Sequence, residues 1–179
     1  MKNLSVRRLA FTGLLAAVYA ALTMGLGFMS YGQLQFRVAE ALCILPFFFP
    51  FASWGLFIGC LLANLLSPVG ILDIVFGSLA TLISCLCAAW LGRGDHWRSW
   101  WRNILVCLMP VIWNALIVGL VITASTTTQM NSAPAWIIFA GNALSVGFGE
   151  LVVMFVLGLP LMRALPQKAL FRQLWEKLS

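Results

Sequence analysis

The stretch YGQLQFRVAEALCILP, Tyr31 to Pro46, is the part of the sequence around which the rest of the chain is arranged. It begins in a Gly-containing turn and brings Gln33, Gln35, Arg37 and Glu40 together between two long segments that carry almost no charge. If the segment after the turn is helical, Gln33, Arg37 and Glu40 have the spacing i, i+4, i+7 and project from one face. Polar groups concentrated in this way between apolar segments indicate a functional role.

The composition is that of a membrane protein. The 179 residues are 62% hydrophobic and 9% charged, whereas a soluble domain carries about 25% charged residues. The opening MKNLSVRR resembles the start of a signal peptide, but the apolar run that follows extends from Leu9 to Met29 without a convincing cleavage site. We interpret this run as a retained first span, and residues 1–179 as a single transmembrane domain.

The basic residues behind the net charge of +6 are placed as membrane topology requires, and their positions do not indicate nucleic-acid binding. Ten of the eleven basic residues lie before the first apolar segment, in a central loop, or after the last apolar segment: Lys2, Arg7, Arg8, Arg93, Arg98, Arg102, Arg163, Lys168, Arg172 and Lys177. The positive-inside rule therefore predicts that both termini and the central loop are cytoplasmic. Attraction to anionic lipid or to an acidic cytoplasmic partner would add to this effect, and no nucleic-acid partner is expected.

Six apolar segments predict an all-α integral membrane protein, a bundle of six transmembrane helices. The spans are expected at about residues 9–29, 36–49, 51–66, 71–91, 104–124 and 135–161. The second and third are shorter than the roughly 20 residues needed to cross a hydrocarbon core. They are expected to be tilted, or to form a re-entrant hairpin that would leave the overall topology unchanged.

Small residues recur every four positions along the first span and form a smooth strip on one side of the helix. The strip consists of Gly13, Ala17, Ala21 and Gly25, with Ala16 and Ala20 beside it. Small residues allow another helix to approach closely. The pattern fits packing inside the bundle and an interface with a partner protein equally well.

Three of the five acidic residues, Glu40, Asp73 and Glu150, fall in or at the ends of predicted spans. A carboxylate at the centre of a bilayer costs about 2.5 to 3.5 kcal/mol, so each needs a partner or a ligand. We expect them to line one pocket that opens outward, together with Gln33, Gln35, Arg37, Asn64, Asn114 and Asn142. The alternative is that these groups form interhelical hydrogen bonds and an Arg37–Glu40 pair that only hold the bundle together.

Such a pocket suits a flat, polar heterocycle. Tyr31, Phe36 and Trp113 are positioned to cover its faces, and a carboxylate can accept two parallel N–H groups. The sequence has no Walker A, GxSxG or HExxH motif and no cluster of metal ligands, so neither an enzyme nor a cofactor is predicted. If nucleotide drives transport, a partner must hydrolyse it.

Three runs carry a resemblance to a known family: QFRVAEALCILPFFFP (residues 35–50), GLFIGCLLANLL (residues 55–66) and DIVFGSLATL (residues 73–82). Together they resemble the QueT family of queuosine-precursor transporters, which are substrate-binding S components of energy-coupling factor (ECF) transporters. The resemblance is strongest over residues 13–92. It implies six helices in a bacterial cell membrane, capture of substrate from outside, and assembly with a transmembrane coupling subunit and two cytoplasmic ATPases.

The resemblance also implies residue roles. An AxxxA motif on the first helix of such proteins contacts the coupling subunit, and both Ala16–Ala20 and Ala17–Ala21 match that spacing.

The implied substrates are 7-deazaguanines such as 7-aminomethyl-7-deazaguanine, 7-cyano-7-deazaguanine or queuine. Either Glu40 or Glu150 would accept the N1–H and 2-amino groups, with Asn114, Asn142 or a glutamine at other ring atoms. Asp73 would instead stabilise helix ends around the pocket.

Two alternatives remain open from the sequence. One is an S component for another vitamin. The other is a self-sufficient secondary transporter that couples proton movement to transport through its intramembrane carboxylates.

Overall fold

The computed structural model describes residues 6–30, 35–94, 99–127 and 134–178, and across these residues the regular structure is entirely helical. A long 3₁₀ helix, Val38–Phe47, is accompanied by α-helices of varied length. These are α1 (Val6–Gly25), the single turn α2 (Gly27–Ser30), α3 (Ala52–Asn64), α4 (Ser78–Leu91), α5 (Trp100–Thr127), α6 (Ala135–Val153), α7 (Leu159–Ala164) and α8 (Ala169–Leu178).

Two π-helical turns extend these helices. The turn Asp73–Gly77 leads into α4, and the turn Met154–Gly158 joins α6 to α7. Within the described ranges, four helical stretches are therefore long and apolar enough to cross a membrane: Val6–Gly25, Asp73–Leu91, Trp100–Thr126 and Ala135–Gln167. The described part of the chain is therefore helical and has several segments able to cross a membrane, as expected of a multi-pass membrane protein.

The 3₁₀ helix Val38–Phe47 is the central element. It packs against α1, α3, α4, α5 and α6, and nearly all of its side chains are buried. A 3₁₀ helix rises about 2.0 Å per residue against about 1.5 Å for an α-helix, so ten residues cover about 20 Å instead of about 15 Å. This short segment thus reaches as far as the longer α-helix predicted over residues 36–49.

The prediction that Gln33, Arg37 and Glu40 lie on one face of a helix is wrong, because the helix begins only after Arg37. Residues 35–37 are not helical, and the helix begins at Val38. Arg37 and Glu40 still face each other because three residues make one turn of a 3₁₀ helix. Gln33 lies outside the described residues.

Both ends of the described chain meet at one end of the bundle. Arg8 in α1 donates from Nε to the carbonyl oxygen of Leu178 at 2.7 Å. At the same end the rings of Phe171 and Trp175 in α8 pack edge-on against Phe48, with centroid distances of 5.2 and 5.6 Å. The C-terminal helix therefore covers the point where the 3₁₀ helix ends.

The small residues of α1 divide between two faces. Ala16 and Ala20 are buried, and α3 approaches so closely that a Cβ added at Gly59 would lie 2.6 Å from the carbonyl oxygen of Ala16. The other face of the strip is exposed; it consists of Gly13, Ala17, Ala21 and Gly25. Of these small residues, only Ala16 and Ala20 are buried on the side of α1 that faces α3.

We expect Gly59→Ala to lower the melting temperature of the detergent-purified protein, because the new methyl group has no room against the α1 backbone. Overpacking of this kind costs about 1–3 kcal/mol. Gly13→Ala is the matched control: an added Cβ there meets nothing within 4 Å, so the melting temperature should not fall. Equal melting temperatures for the two variants would contradict the close α1–α3 contact.

Candidate functional site

Arg37 and Glu40 form a buried ion pair at the start of the 3₁₀ helix. Their side chains are 3% and 0% exposed, and Arg37 Nε lies 3.9 Å from Glu40 Oε1. Charged groups removed from water in this way need hydrogen-bond partners among the surrounding residues. Both oxygens of Glu40 and Nη2 of Arg37 have such partners, whereas Arg37 Nε has none among the described residues.

The surrounding helices supply donors to both oxygens of Glu40. The hydroxyl groups of Tyr19 in α1 and Thr81 in α4 donate to Oε1 at 2.5 and 3.0 Å. The thiol of Cys43, one turn further along the 3₁₀ helix, donates to Oε2 at 3.0 Å. Each oxygen of the Glu40 carboxylate therefore accepts at least one hydrogen bond from the protein itself.

Arg37 extends the same network to α3 and to the turn that follows it. Its Nη2 donates to Asn64 Oδ1 at 3.0 Å and contacts Cys60 Sγ at 3.1 Å. Asn64 in turn donates to the backbone carbonyl of Asp73 at 3.0 Å, and Ser67 Oγ donates to Asp73 Oδ2 at 2.6 Å. Four of the predicted site residues, Arg37, Glu40, Asn64 and Asp73, thus belong to one hydrogen-bonded network.

A second polar pair lies between α5 and α6. Asn114 Nδ2 donates to Glu150 Oε1 at 3.1 Å, and both residues are almost completely buried. The second carboxylate oxygen of Glu150, Oε2, has no hydrogen-bond partner, and neither has the amide oxygen of Asn114, Oδ1. The pair therefore presents two buried acceptors that the protein leaves unsatisfied.

The Asn114–Glu150 pair is close to the first network. Gly149, next to Glu150 in α6, lies against the backbone of Gln35, two residues before Arg37. Glycine makes this contact possible, because a Cβ at that position would overlap the backbone carbonyl of Gln35. The absence of a side chain at Gly149 lets α6 lie directly against residues 35–37, with Gln35 itself buried.

The remaining predicted ligand residues are placed less centrally. Asn142 donates to Thr123 Oγ1 at 3.0 Å and thereby links α6 to α5. Trp113 and Phe36 are half-buried. Tyr31, like Gln33, lies outside the part of the chain that the structure describes.

Sequence reasoning did not select Tyr19, Cys43 or Cys60 as partners of the charged pair. A signal for Tyr19 was available: it lies three residues after Ala16 and four before Thr23, on the buried face of α1. The two cysteines were interpreted only as small hydrophobic residues. They are free and buried, as expected, and each also hydrogen-bonds to the charged pair.

A groove of about 580 Å³ on the outside of α4 and α5 does not belong to this site. It is lined by aliphatic side chains, Phe76 and Phe139, and by none of the predicted ligand residues. Its apolar lining suits a surface that faces hydrocarbon.

Comparison with known proteins agrees with the resemblance of the three sequence runs. The model of the QueT transporter family matches residues 9–167. The Queuosine precursor transporter QueT of Lactococcus lactis subsp. cremoris (strain MG1363) is 38% identical over 85 residues, which are 46% of this chain and 50% of that protein. The matched region thus spans about half the length of this curated relative.

No solved structure matches the chain. The family and the relative are both named as transporters and not as enzymes. Because the family match covers most of the sequence, including both polar clusters, this chain belongs to the QueT transporter family.

Proposed function

We propose that this protein is the substrate-binding S component of an ECF transporter and captures a queuosine precursor of the 7-deazaguanine class from outside a bacterial cell. The observation that carries the proposal is the pair of unsatisfied buried acceptors, Glu150 Oε2 and Asn114 Oδ1. The family match and the name of the Lactococcus relative support the choice of substrate.

The two unsatisfied acceptors favour a ligand that offers two N–H donors. A buried acceptor without a partner costs about 1–3 kcal/mol, and a ligand that donates to it removes this cost. The N1–H and 2-amino groups of a 7-deazaguanine are parallel donors on one edge of a flat ring, which is the arrangement that a carboxylate accepts well. We assign this edge to Glu150 and Asn114.

Glu40 receives a different role. Since Tyr19, Thr81 and Cys43 already occupy its oxygens, we propose that Glu40 holds the 3₁₀ helix in place beside the ligand. For Asp73 we propose that the bond from Ser67 to Oδ2 stabilises the turn between α3 and α4. Its other oxygen, Oδ1, has no hydrogen-bond partner among the described residues.

The remaining predicted residues complete the proposed site around the ring. Trp113 and Phe36, with Tyr31, are proposed to cover the ring faces. Gln33 and Gln35 remain candidates for its other polar atoms, whereas Asn142 is hydrogen-bonded to Thr123 and is proposed to link α6 to α5. Arg37 contributes by keeping the network around Glu40 intact.

We further propose that six segments cross the membrane, with both termini in the cytoplasm. The contact between Arg8 and Leu178 supports a common side for the two termini. The basic residues clustered near the chain ends and in the central loop favour the cytoplasmic side. The 3₁₀ helix covers about 20 Å, so the short second segment needs the non-helical residues beside it to span a core of about 30 Å.

The sequence carries no nucleotide-binding motif, so ATP-driven uptake requires partners: a transmembrane coupling subunit and two cytoplasmic ATPases. We assign the coupling-subunit contact to the exposed strip of α1 with Gly13, Ala17 and Ala21. Ala16 and Ala20 also match the AxxxA spacing, but they are buried at the α1–α3 contact. Membrane lipid surrounds the rest of the bundle.

Calorimetric titration of the purified protein tests the ligand assignment. We expect 7-aminomethyl-7-deazaguanine, 7-cyano-7-deazaguanine or queuine to bind more tightly than a matched analogue without the 2-amino group. Glu150→Gln should weaken binding at least about 30-fold, because loss of one partner of a buried charged hydrogen bond costs about 2–5 kcal/mol. The variant should also lose discrimination against the analogue.

Asn114→Ala and Asn142→Ala form a matched pair for the same titration. Asn114→Ala removes an unsatisfied acceptor and should weaken binding, whereas Asn142→Ala removes a bond to Thr123 and should have little effect. Unchanged affinity in both Glu150→Gln and Asn114→Ala would exclude this pair as the site.

Glu40→Gln is expected to act on stability. Replacement leaves the Arg37 guanidinium buried without a counter-charge, which costs about 3–5 kcal/mol, so thermal unfolding in detergent should begin at a clearly lower temperature. Glu150→Gln removes a carboxyl group that lacks a full set of partners and should not lower the unfolding temperature. The reverse pattern would assign Glu40 to the ligand and Glu150 to the framework.

Ala17→Leu should impair co-purification with the coupling subunit while leaving ligand affinity intact, since Ala17 is exposed on α1. Leu144→Phe changes an exposed position on α6 and is the control.

Uptake by proteoliposomes should require the coupling subunit, the ATPases and ATP. Uptake by this chain alone, driven by a proton gradient, would instead establish an autonomous transporter.

A further inference from the structure

We propose that α8, together with Lys168, is a binding element for anionic phospholipid headgroups at the cytoplasmic surface. The inference rests on the proposed membrane topology and is independent of the identity of the transported ligand. It follows from how α8 is attached to the bundle, from the side chains it leaves exposed, and from its charge.

The attachment places α8 across the end of the bundle. Lys168 has an extended backbone, which turns the chain away from the helix that precedes it. Ten residues further on, the carbonyl of Leu178 accepts a hydrogen bond from Arg8 in α1. An α-helix of ten residues is about 15 Å long, so α8 bridges the end of one membrane-crossing helix and the start of another.

The contact with the bundle uses only one side of α8. Phe171 and Leu178 are buried and Trp175 is half-buried, with both aromatic rings against Phe48. Leu170 and Leu174, one helical turn apart, remain 75% and 42% exposed beside this buried face. These two leucines extend the apolar surface of α8 beyond the part that contacts the bundle.

The exposed flanks of α8 and the residue that leads into it are basic. From residue 163 to residue 178 there are four basic residues and one acidic residue, Glu176. Lys168, Arg172 and Lys177 are all exposed. A short helix with exposed leucines beside exposed cations is complementary to the boundary between acyl chains and anionic headgroups.

The test is hydrogen–deuterium exchange of the full chain in nanodiscs of phosphatidylcholine alone and of phosphatidylcholine mixed with phosphatidylglycerol. We expect amides of α8 to exchange more slowly when the anionic lipid is present. Lys168→Gln combined with Lys177→Gln should reduce that lipid-dependent protection, by about fivefold for each charge removed. Glu176→Gln, on the same helix, is the control and should retain it.

A second variant separates the apolar contribution from folding. Leu170→Gln with Leu174→Gln should reduce protection in both lipid mixtures without changing the melting temperature of the bundle, because neither side chain is part of the core. Equal exchange of α8 with and without anionic lipid in the unmodified protein would overturn the proposal. Protection that appears only when the coupling subunit is added would also overturn it, and would assign this surface to a protein partner.

Discussion

The buried interaction between Arg37 and Glu40 is the constraint on which the rest of the structure depends. Neither charge is stable alone in an apolar bundle, so the surrounding helices must supply donors and acceptors at fixed positions. Tyr19 comes from α1, Asn64 from α3 and Thr81 from α4. The polar network therefore selects one relative arrangement of helices whose other contacts are largely apolar and far less directional.

The same interaction accounts for the placement of the 3₁₀ helix. Its first turn carries Glu40, and its residues are surrounded by helices on all sides, so it forms the axis of the bundle rather than a lipid-facing span. Close approach to it is possible only at small residues. Gly149 admits the backbone at Gln35 at one end, and Gly92 admits the backbone at Phe47 at the other.

Two glutamates in similar apolar sequence contexts acquire different properties from their surroundings. Glu40 accepts hydrogen bonds from hydroxyl and thiol donors at both oxygens, whereas Glu150 has one amide donor and one oxygen without a partner. We propose that a group with protein donors at both oxygens contributes mainly to the framework. An unsatisfied acceptor is instead a place where binding lowers the free energy, and for that reason the proposed recognition edge is assigned to Glu150 and Asn114.

The sequence by itself determined the membrane class, the approximate helical segments, and the residues whose burial requires an explanation. These depend on composition, hydropathy and charge, which are local properties. Tertiary structure alone decided that the segment after Arg37 is a 3₁₀ helix, that Tyr19 and two cysteines join the charged pair, and that Ala16 faces inward while Ala17 faces outward. These features depend on which groups meet across helices, and neither periodicity nor residue type specifies that in a bundle whose helices are apolar on most sides.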